Sequence, residues 1–257
     1  MAALQPDFAV RLADGPEDLR AAQRLRYEVF VAELGADGPH VDHDARLERD
    51  EFDPYFDHLL LEDLSRPEGD RVVAVYRLLR DDQMPAIGRY YSEAEYDLTV
   101  LKNSGRKLME LGRSCLHADY RGGAAMLVMW NGLAEYVAAH GIEVLFGTAS
   151  FHGTDVGAIA PSLALLHHRH LAPAELRVRA VADHFQSMDL LPYDDIDRRT
   201  AMLGVPALIK AYLRLGGYVG EGAFVDHDFN TTDICLVMDT ERLSATQKSI
   251  YSKGLKS

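Results

Sequence analysis

A strand, a glycine turn and a helix follow one another without interruption between Lys107 and His140, and this stretch most limits what the chain can fold into. Lys107 to His117 reads as a strand, Tyr120-Arg121-Gly122-Gly123-Ala124 as a turn, and Ala124 to His140 as a helix closed by Gly141. A strand feeding a helix through so short a link packs that helix on its own sheet, the building unit of α/β architecture.

The rest of the chain extends the pattern. Phe8 to Leu12 reads as a first strand, and Asp14-Gly15-Pro16 opens a helix that runs to Glu33 and closes at Gly35. An acidic loop, Asp37 to Tyr55, follows. His58 to Glu62 and Arg71 to Leu79 are strands separated by the hairpin punctuation Ser65-Arg66-Pro67-Glu68-Gly69. Glu143 to Ala149 is a short apolar strand, Pro161 to Arg214 reads as mostly helical with breaks near Pro173, Pro192 and Pro206, and Asp233 to Met238 is a buried closing strand. The expected product is one domain over residues 1–243 with a mixed central sheet flanked by helices, and a loose tail over 244–257.

Charge narrows the class of partner. With 27 Lys+Arg against 40 Asp+Glu, the 257-residue chain carries a formal charge of −13, which argues against a nucleic-acid binder. Two cysteines, Cys115 and Cys235, make no disulfide scaffold and are expected as reduced thiols. The opening MAALQPDFAV lacks the basic and apolar regions of a signal peptide, and no run nears the ~18 apolar residues of a spanning helix. A cytoplasmic protein is expected.

Three clusters carry chemistry. Arg121, Gly122, Gly123 and Ala124 precede a helix start, where free N–H groups and the helix dipole hold a phosphate, such as that of coenzyme A or of a carrier protein's pantetheine arm; a plain packing turn has the same sequence. Glu110 and Arg113, in Glu110-Leu111-Gly112-Arg113, point to opposite faces of a regular strand and converge only at a bulge, which Gly112 permits. There they would suit amine deprotonation beside a positive orienting group; a surface ion pair is the plainer account. The third cluster is Asp50-Glu51-Phe52-Asp53-Pro54-Tyr55-Phe56-Asp57-His58, preceded by Asp42, Asp44 and Glu48. It forms either an acidic wall for a substrate bearing ammonium groups or a solvated loop.

Together these segments resemble a known family. Arg26 and Phe30 in LRYEVF, Asp53 and Asp57 in EFDPYFDH, Arg77 in VYRLL, and Glu110 with Arg113 in ELGR resemble the ordered signature of acyl-homoserine-lactone synthases. Those are acyltransferases of the GNAT (N-acetyltransferase) fold that use acyl carrier protein. Two features depart from them: Ala36 follows Leu34-Gly35 where tryptophan is usual, and the two aspartates stand one residue further apart. From about Phe8 to Asp239 the chain is more similar to the bacterial ornithine N-acyltransferases, once called haemolysin-like, including its stretches GTASFHGTD, GVPALIKAYLRLGGYVG and DHDFNTTDICLVMD.

That resemblance implies a GNAT fold and transfer of a 3-hydroxyacyl group from acyl carrier protein to the α-amine of L-ornithine, giving lyso-ornithine lipid, with no bound cofactor. It implies Glu110 as general base with Arg113 beside it. Arg26 and Arg77 would grip the amino acid carboxylate or order the acidic loop, Asp53 and Asp57 would face ammonium groups, and Phe30 would line the substrate site. A product that is a lipid implies work at the inner membrane face without spanning it. Docking of an acidic carrier protein requires local basic patches, for which Arg106, Lys107, Arg121, Arg169, Arg177, Arg179 and the Lys-bearing tail are candidates. The alternatives are an acyl-homoserine-lactone synthase drawing on S-adenosylmethionine, and a membrane-active or acyl-binding protein, which the lack of a long cationic amphipathic helix disfavours.

Other residues are expected to be inert. His167-His168-Arg169-His170 lacks the i, i+4 pair of a zinc helix and an accompanying acid at the right step, so no metal is expected. Cys115 is expected as a buried strand thiol, and Met126, Met129 and Trp130 as core packing.

Overall fold

A computed structural model describes residues 5–227 and 229–242, so the predicted tail lies outside the described residues. Hydrogen-bonded strands run in the order Phe8–Leu12, Asp57–Asp63, Val72–Arg80, Leu108–Leu116, Val144–His152, Thr231–Asp239, Ala223–Asp226 and Phe185–Gln186, and Tyr218–Val219 pairs with Thr231–Asp239 as the ninth strand. The sheet is mixed. Leu108, Met109 and Glu110 pair in parallel with Val144, Leu145 and Phe146, whereas the first three strands and the Val144–His152/Thr231–Asp239 pair run antiparallel.

The chain divides into two compact units, and the strand Leu108–Leu116 supplies residues to both. The first unit comprises the chain up to Gly88 together with Leu111–Gly141. Its strand Val72–Arg80, VVAVYRLLR, is buried from Val73 to Leu79, which explains a nearly continuous apolar run in place of alternation. The helix Ala125–His140 covers Phe8–Leu12 so closely that a Cβ on Gly132 would fall 2.4 Å from Val10 Cγ1. Ala22, Leu25, Val29, Leu60, Val75 and Cys115 form a core cluster, with Phe30 packed against it.

The predicted helix up to Glu33 is two structures. A regular helix, Pro16–Arg26, starts at the proline with Glu17 and Asp18 in its first turn and ends with Arg24 and Arg26, charges that complement its dipole. Over Tyr27–Glu33 the turns widen to π type, and Leu34 N–H reaches back to the Val29 carbonyl at 3.2 Å.

The second unit comprises Arg89–Glu110 and, among the described residues, 142–242. The strand Val144–His152 pairs along all nine residues with Thr231–Asp239. The expectation of a mostly helical Pro161–Arg214 is corrected here. One helix, Val156–His170, begins before Pro161 with Asp155 as its cap, and α-helix resumes only at Arg198–Gly204 and Ala207–Arg214. Between them the backbone bonds to distant partners, Ala172 N–H to the Val219 carbonyl and Ala180 N–H to the Glu221 carbonyl, and these replace helical hydrogen bonds. No helix among the described residues is long and apolar enough to cross a membrane.

Candidate active site

In the first unit, the acidic loop folds onto three arginines. Arg26, at the end of its helix and fully buried, donates from Nη1 to Asp53 Oδ1 at 2.6 Å, from Nη2 to Asp53 Oδ2 at 3.1 Å and to the Glu48 carbonyl at 2.8 Å, and from Nε to the Glu48 carboxylate. Arg77, also buried, donates from Nη1 to Asp50 Oδ1 at 2.6 Å and Asp53 Oδ1 at 2.8 Å, with its guanidinium 4.6 Å from the Phe56 ring centre. Arg113 donates from Nε to Glu48 Oε1 at 3.0 Å and pairs with Asp50 Oδ2 at 3.5 Å. Gln23 Nε2 donates to Asp53 Oδ2 at 2.8 Å, and His58 Nε2 contacts the Asp53 carbonyl at 3.0 Å.

Three guanidinium groups thus face three carboxylates, so the network is neutral even though it is buried. Each charge would be costly alone, and mutual pairing offsets that cost. Burial pushes the Asp53 carboxyl up, but Arg26 and Arg77 outweigh it and hold the group far below the usual carboxylate range. Asp50 is held down in the same way, burial opposing and Arg77 and Arg113 prevailing. The loop is pinned as a charged wall, and Asp53 is enclosed by arginines, so it does not face open solvent. Arg26 and Arg77 thus bond to carboxylates of the acidic loop itself.

Arg113 reaches this network through an unusual backbone. Its φ is +49°, a conformation that non-glycine residues rarely adopt and that costs on the order of 1–3 kcal/mol. The irregularity falls on the arginine and not on Gly112, the residue whose lack of a side chain would permit a bulge. Strain of this kind clusters at functional sites.

Asp57 stands apart from Asp53. Its Oδ2 takes a bond from Arg80 Nη1 at 2.7 Å and from the Tyr136 hydroxyl at 2.5 Å, and Tyr136 stacks on His140 with ring centres 4.1 Å apart. Burial and then Asp57 raise the Tyr136 hydroxyl well above its ordinary value, so it stays a proton donor. Gly122 and Gly123 come just ahead of Ala124 and the helix Ala125–His140, whose first turn has no side-chain cap and no acid. Arg121 next to them pairs with Glu33 at 2.7 Å and with the Leu116 carbonyl at 3.1 Å.

In the second unit, Glu110 is 1% exposed and both its oxygens are occupied: Oε2 accepts the Tyr91 N–H at 2.8 Å and Oε1 the Ser92 N–H at 2.6 Å. Both donors stand at the start of the turn Tyr91–Ala94. The predicted docking arginines are also engaged. Arg106 forms a two-pronged pair with Asp239 at 2.8 and 2.7 Å, Arg179 pairs with Glu221 beneath the Phe185 ring, and Arg177 Nε donates to the Ala172 carbonyl at 2.8 Å. Arg169 is exposed. Cys115 and Cys235 are free and buried, and burial pushes the Cys115 thiol up to about 12, which removes it as a nucleophile near neutral pH.

The sequence reading missed Glu48, Asp50 and Gln23 as members of the arginine network. Glu48 and Asp50 stood in the acidic cluster, but nothing local marked which of its carboxylates would turn inward.

Residues 25–131, the span from Arg26 through the glycine turn into the following helix, match the acetyltransferase (GNAT) domain family. Two solved acyl-homoserine lactone synthases share the fold. The CoA-dependent BjaI, with SAM and isopentyl-CoA, is 14% identical with a TM-score of 0.52 over 93% of this chain and 82% of that one. LasI is 15% identical with a TM-score of 0.51 over 97% and 96%. Fold and domain define the class: an acyltransferase of the GNAT type. Among curated relatives, the L-ornithine N(alpha)-acyltransferase of Rhodobacter capsulatus is 60% identical over 98% of both chains. Enzymes with the same name from Brucella abortus and Rhizobium meliloti are 40% and 37% identical, covering 94% and 95% of this chain and 88% and 84% of theirs. The chain belongs to the L-ornithine N(alpha)-acyltransferase family.

Proposed function

We propose that the chain transfers a 3-hydroxyacyl group from acyl carrier protein to the α-amine of L-ornithine, releasing the carrier thiol and lyso-ornithine lipid. The observation that carries this reading is the 60% identity, along essentially the whole chain, to a relative named for ornithine acylation. The amine nitrogen attacks the thioester carbon, the C–S bond breaks as the amide bond forms, and the proton lost by the amine balances the one gained by the departing thiolate.

Because α-amines are largely protonated near neutral pH, with peptide values of ~8, a base must first take the extra proton of the ammonium form; the N–H proton lost as the amide forms is the one that ends on the thiol. Glu110 is assigned the role of base, its carboxylate held in position by the Tyr91 and Ser92 N–H groups. Backbone N–H groups along Leu108–Leu116 would hold the oxyanion, at ~3 kcal/mol per donor. Gly122, Gly123 and Ala124 present helix-start N–H groups to the pantetheine phosphodiester. The Arg121–Glu33 pair is exposed and therefore weak, so Arg121 can exchange its partner for that phosphate. Arg26, Asp53, Arg77 and Arg113 hold the loop that shapes the acceptor site, Asp57 at 29% side-chain exposure contacts an ammonium group, and Phe30 backs the wall. The reaction would take place in the cytoplasm, at the inner membrane face.

The test is product mass from the purified protein given L-ornithine and either 3-hydroxyacyl carrier protein or the matching acyl-CoA, with lysine and glutamine as competing acceptors. Acylated ornithine formed preferentially from the carrier protein supports the proposal. A lactone formed only with S-adenosylmethionine, or no transfer from either donor, overturns it.

A further inference from the structure

The histidine run at the end of the helix Val156–His170 meets the acid that sequence spacing could not provide. Asp189, about twenty residues downstream on an irregular loop, places a carboxylate oxygen such that it and one imidazole nitrogen from each of His167 and His168 all lie within 4.8 Å of one another. His168 Nε2 is 3.5 Å from Asp189 Oδ1 and 2.9 Å from the Leu191 carbonyl, and the two imidazoles meet edge to face at 5.3 Å. His167 Nδ1 is buried and has no hydrogen-bond partner, a loss that a ligand would make good.

We propose that His167, His168 and Asp189 form a site for a divalent transition metal, Zn²⁺ or a cation of similar preference, that ties the helix end to the loop carrying Asp189. Two imidazoles and a carboxylate are the donor set of zinc-type ions; Mg²⁺ and Ca²⁺ prefer all-oxygen shells. With bonds of about 2.0–2.2 Å, donors on a tetrahedral ion stand about 3.3–3.5 Å apart, so small side-chain rotations close the trio, and water completes the shell. The ion would sit at the helix C-terminus, where the dipole favours positive charge.

The experiment titrates chelator-stripped full-length protein with Co²⁺, reading the visible d–d absorption, and then displaces it with Zn²⁺; thermal unfolding with and without Zn²⁺ gives a second readout. The expected result is one saturating equivalent and a raised Tm. Asp189→Asn and His168→Gln, both at exposed positions, should each weaken binding at least ~10-fold, while His152→Gln, an exposed control, should leave it unchanged. Circular dichroism confirms that each variant folds. Absence of saturable binding, or binding that survives Asp189→Asn and His168→Gln unchanged, overturns the site. None of these readouts uses acyl transfer, so the result stands apart from the proposed reaction.

Discussion

Glu110 and Arg113 stand three residues apart on one strand, yet their charges are handled by different means. The Glu110 carboxylate accepts bonds from two peptide N–H groups of the Tyr91–Ala94 turn. The Arg113 guanidinium joins a set of three arginines and three carboxylates, each paired with a charge of opposite sign. Peptide N–H donors fix the position of the Glu110 carboxylate, in keeping with its proposed role as proton acceptor. A balanced network suits a scaffold, because removing any member leaves its partners buried and uncompensated.

The largest expected effect follows from breaking the balanced side. Asp53→Ala leaves Arg26 and Arg77 without their shared carboxylate and should destabilise the first unit by about 3–5 kcal/mol in denaturant unfolding. A loss below 1 kcal/mol would show that solvent already screens the network. On the other side, Glu110→Gln should lower kcat by at least ~100-fold while costing only about 1–3 kcal/mol of stability, since an amide can still accept one of the two N–H bonds but not both. The pH–rate profile separates base from scaffold: loss of the limb assigned to the base supports the role, and an unchanged profile at reduced kcat assigns Glu110 to positioning.

Acid sharpens the contrast further. Asp50 and Asp53 have folded-state values below their unfolded ones, and Asp63, held by Tyr120 and Ser65 against the opposing effect of burial, sits at about 2. Each contributes stability that is complete above the unfolded value of ~3.9 and is lost as pH falls through the folded value. Unfolding free energy should therefore fall steeply below about pH 4, and Asp53→Asn should flatten that slope. The smallest effect is expected from Cys115→Ser, whose turnover should stay within a factor of about 3 because the buried, protonated thiol takes no part in transfer. Inactivity of a folded Ser variant would reopen a covalent acyl-enzyme.

Sequence patterns located the elements whose causes are local. Phe8–Leu12 is found at the expected bounds, and Leu108–Leu116 and Ala125–His140 within a residue of theirs, because short apolar runs and Gly141 punctuate them. The widened turns of Tyr27–Glu33 and the non-helical course of residues 171–197 were not legible, since both depend on backbone partners that other segments supply. The same holds at the site. Arg26, Asp53, Arg77 and Arg113 could be nominated from motif order, but their union with Glu48 and Asp50 spans 22 to 65 residues of chain and leaves no short-range pattern. Asp189 was invisible to the histidine run for the same reason. Arg106 looked available for docking until Asp239, 133 residues away, was seen to engage it.

The most direct measurement of the central claim uses L-ornithine labelled with ¹⁵N at the α-nitrogen, incubated with the purified protein and 3-hydroxyacyl carrier protein, with the product fragmented by mass spectrometry. The account predicts that the label is retained in the fatty amide and that the carrier thiol appears in equal amount. Acylation at the unlabelled side-chain amine, or thiol release without amide, would contradict it.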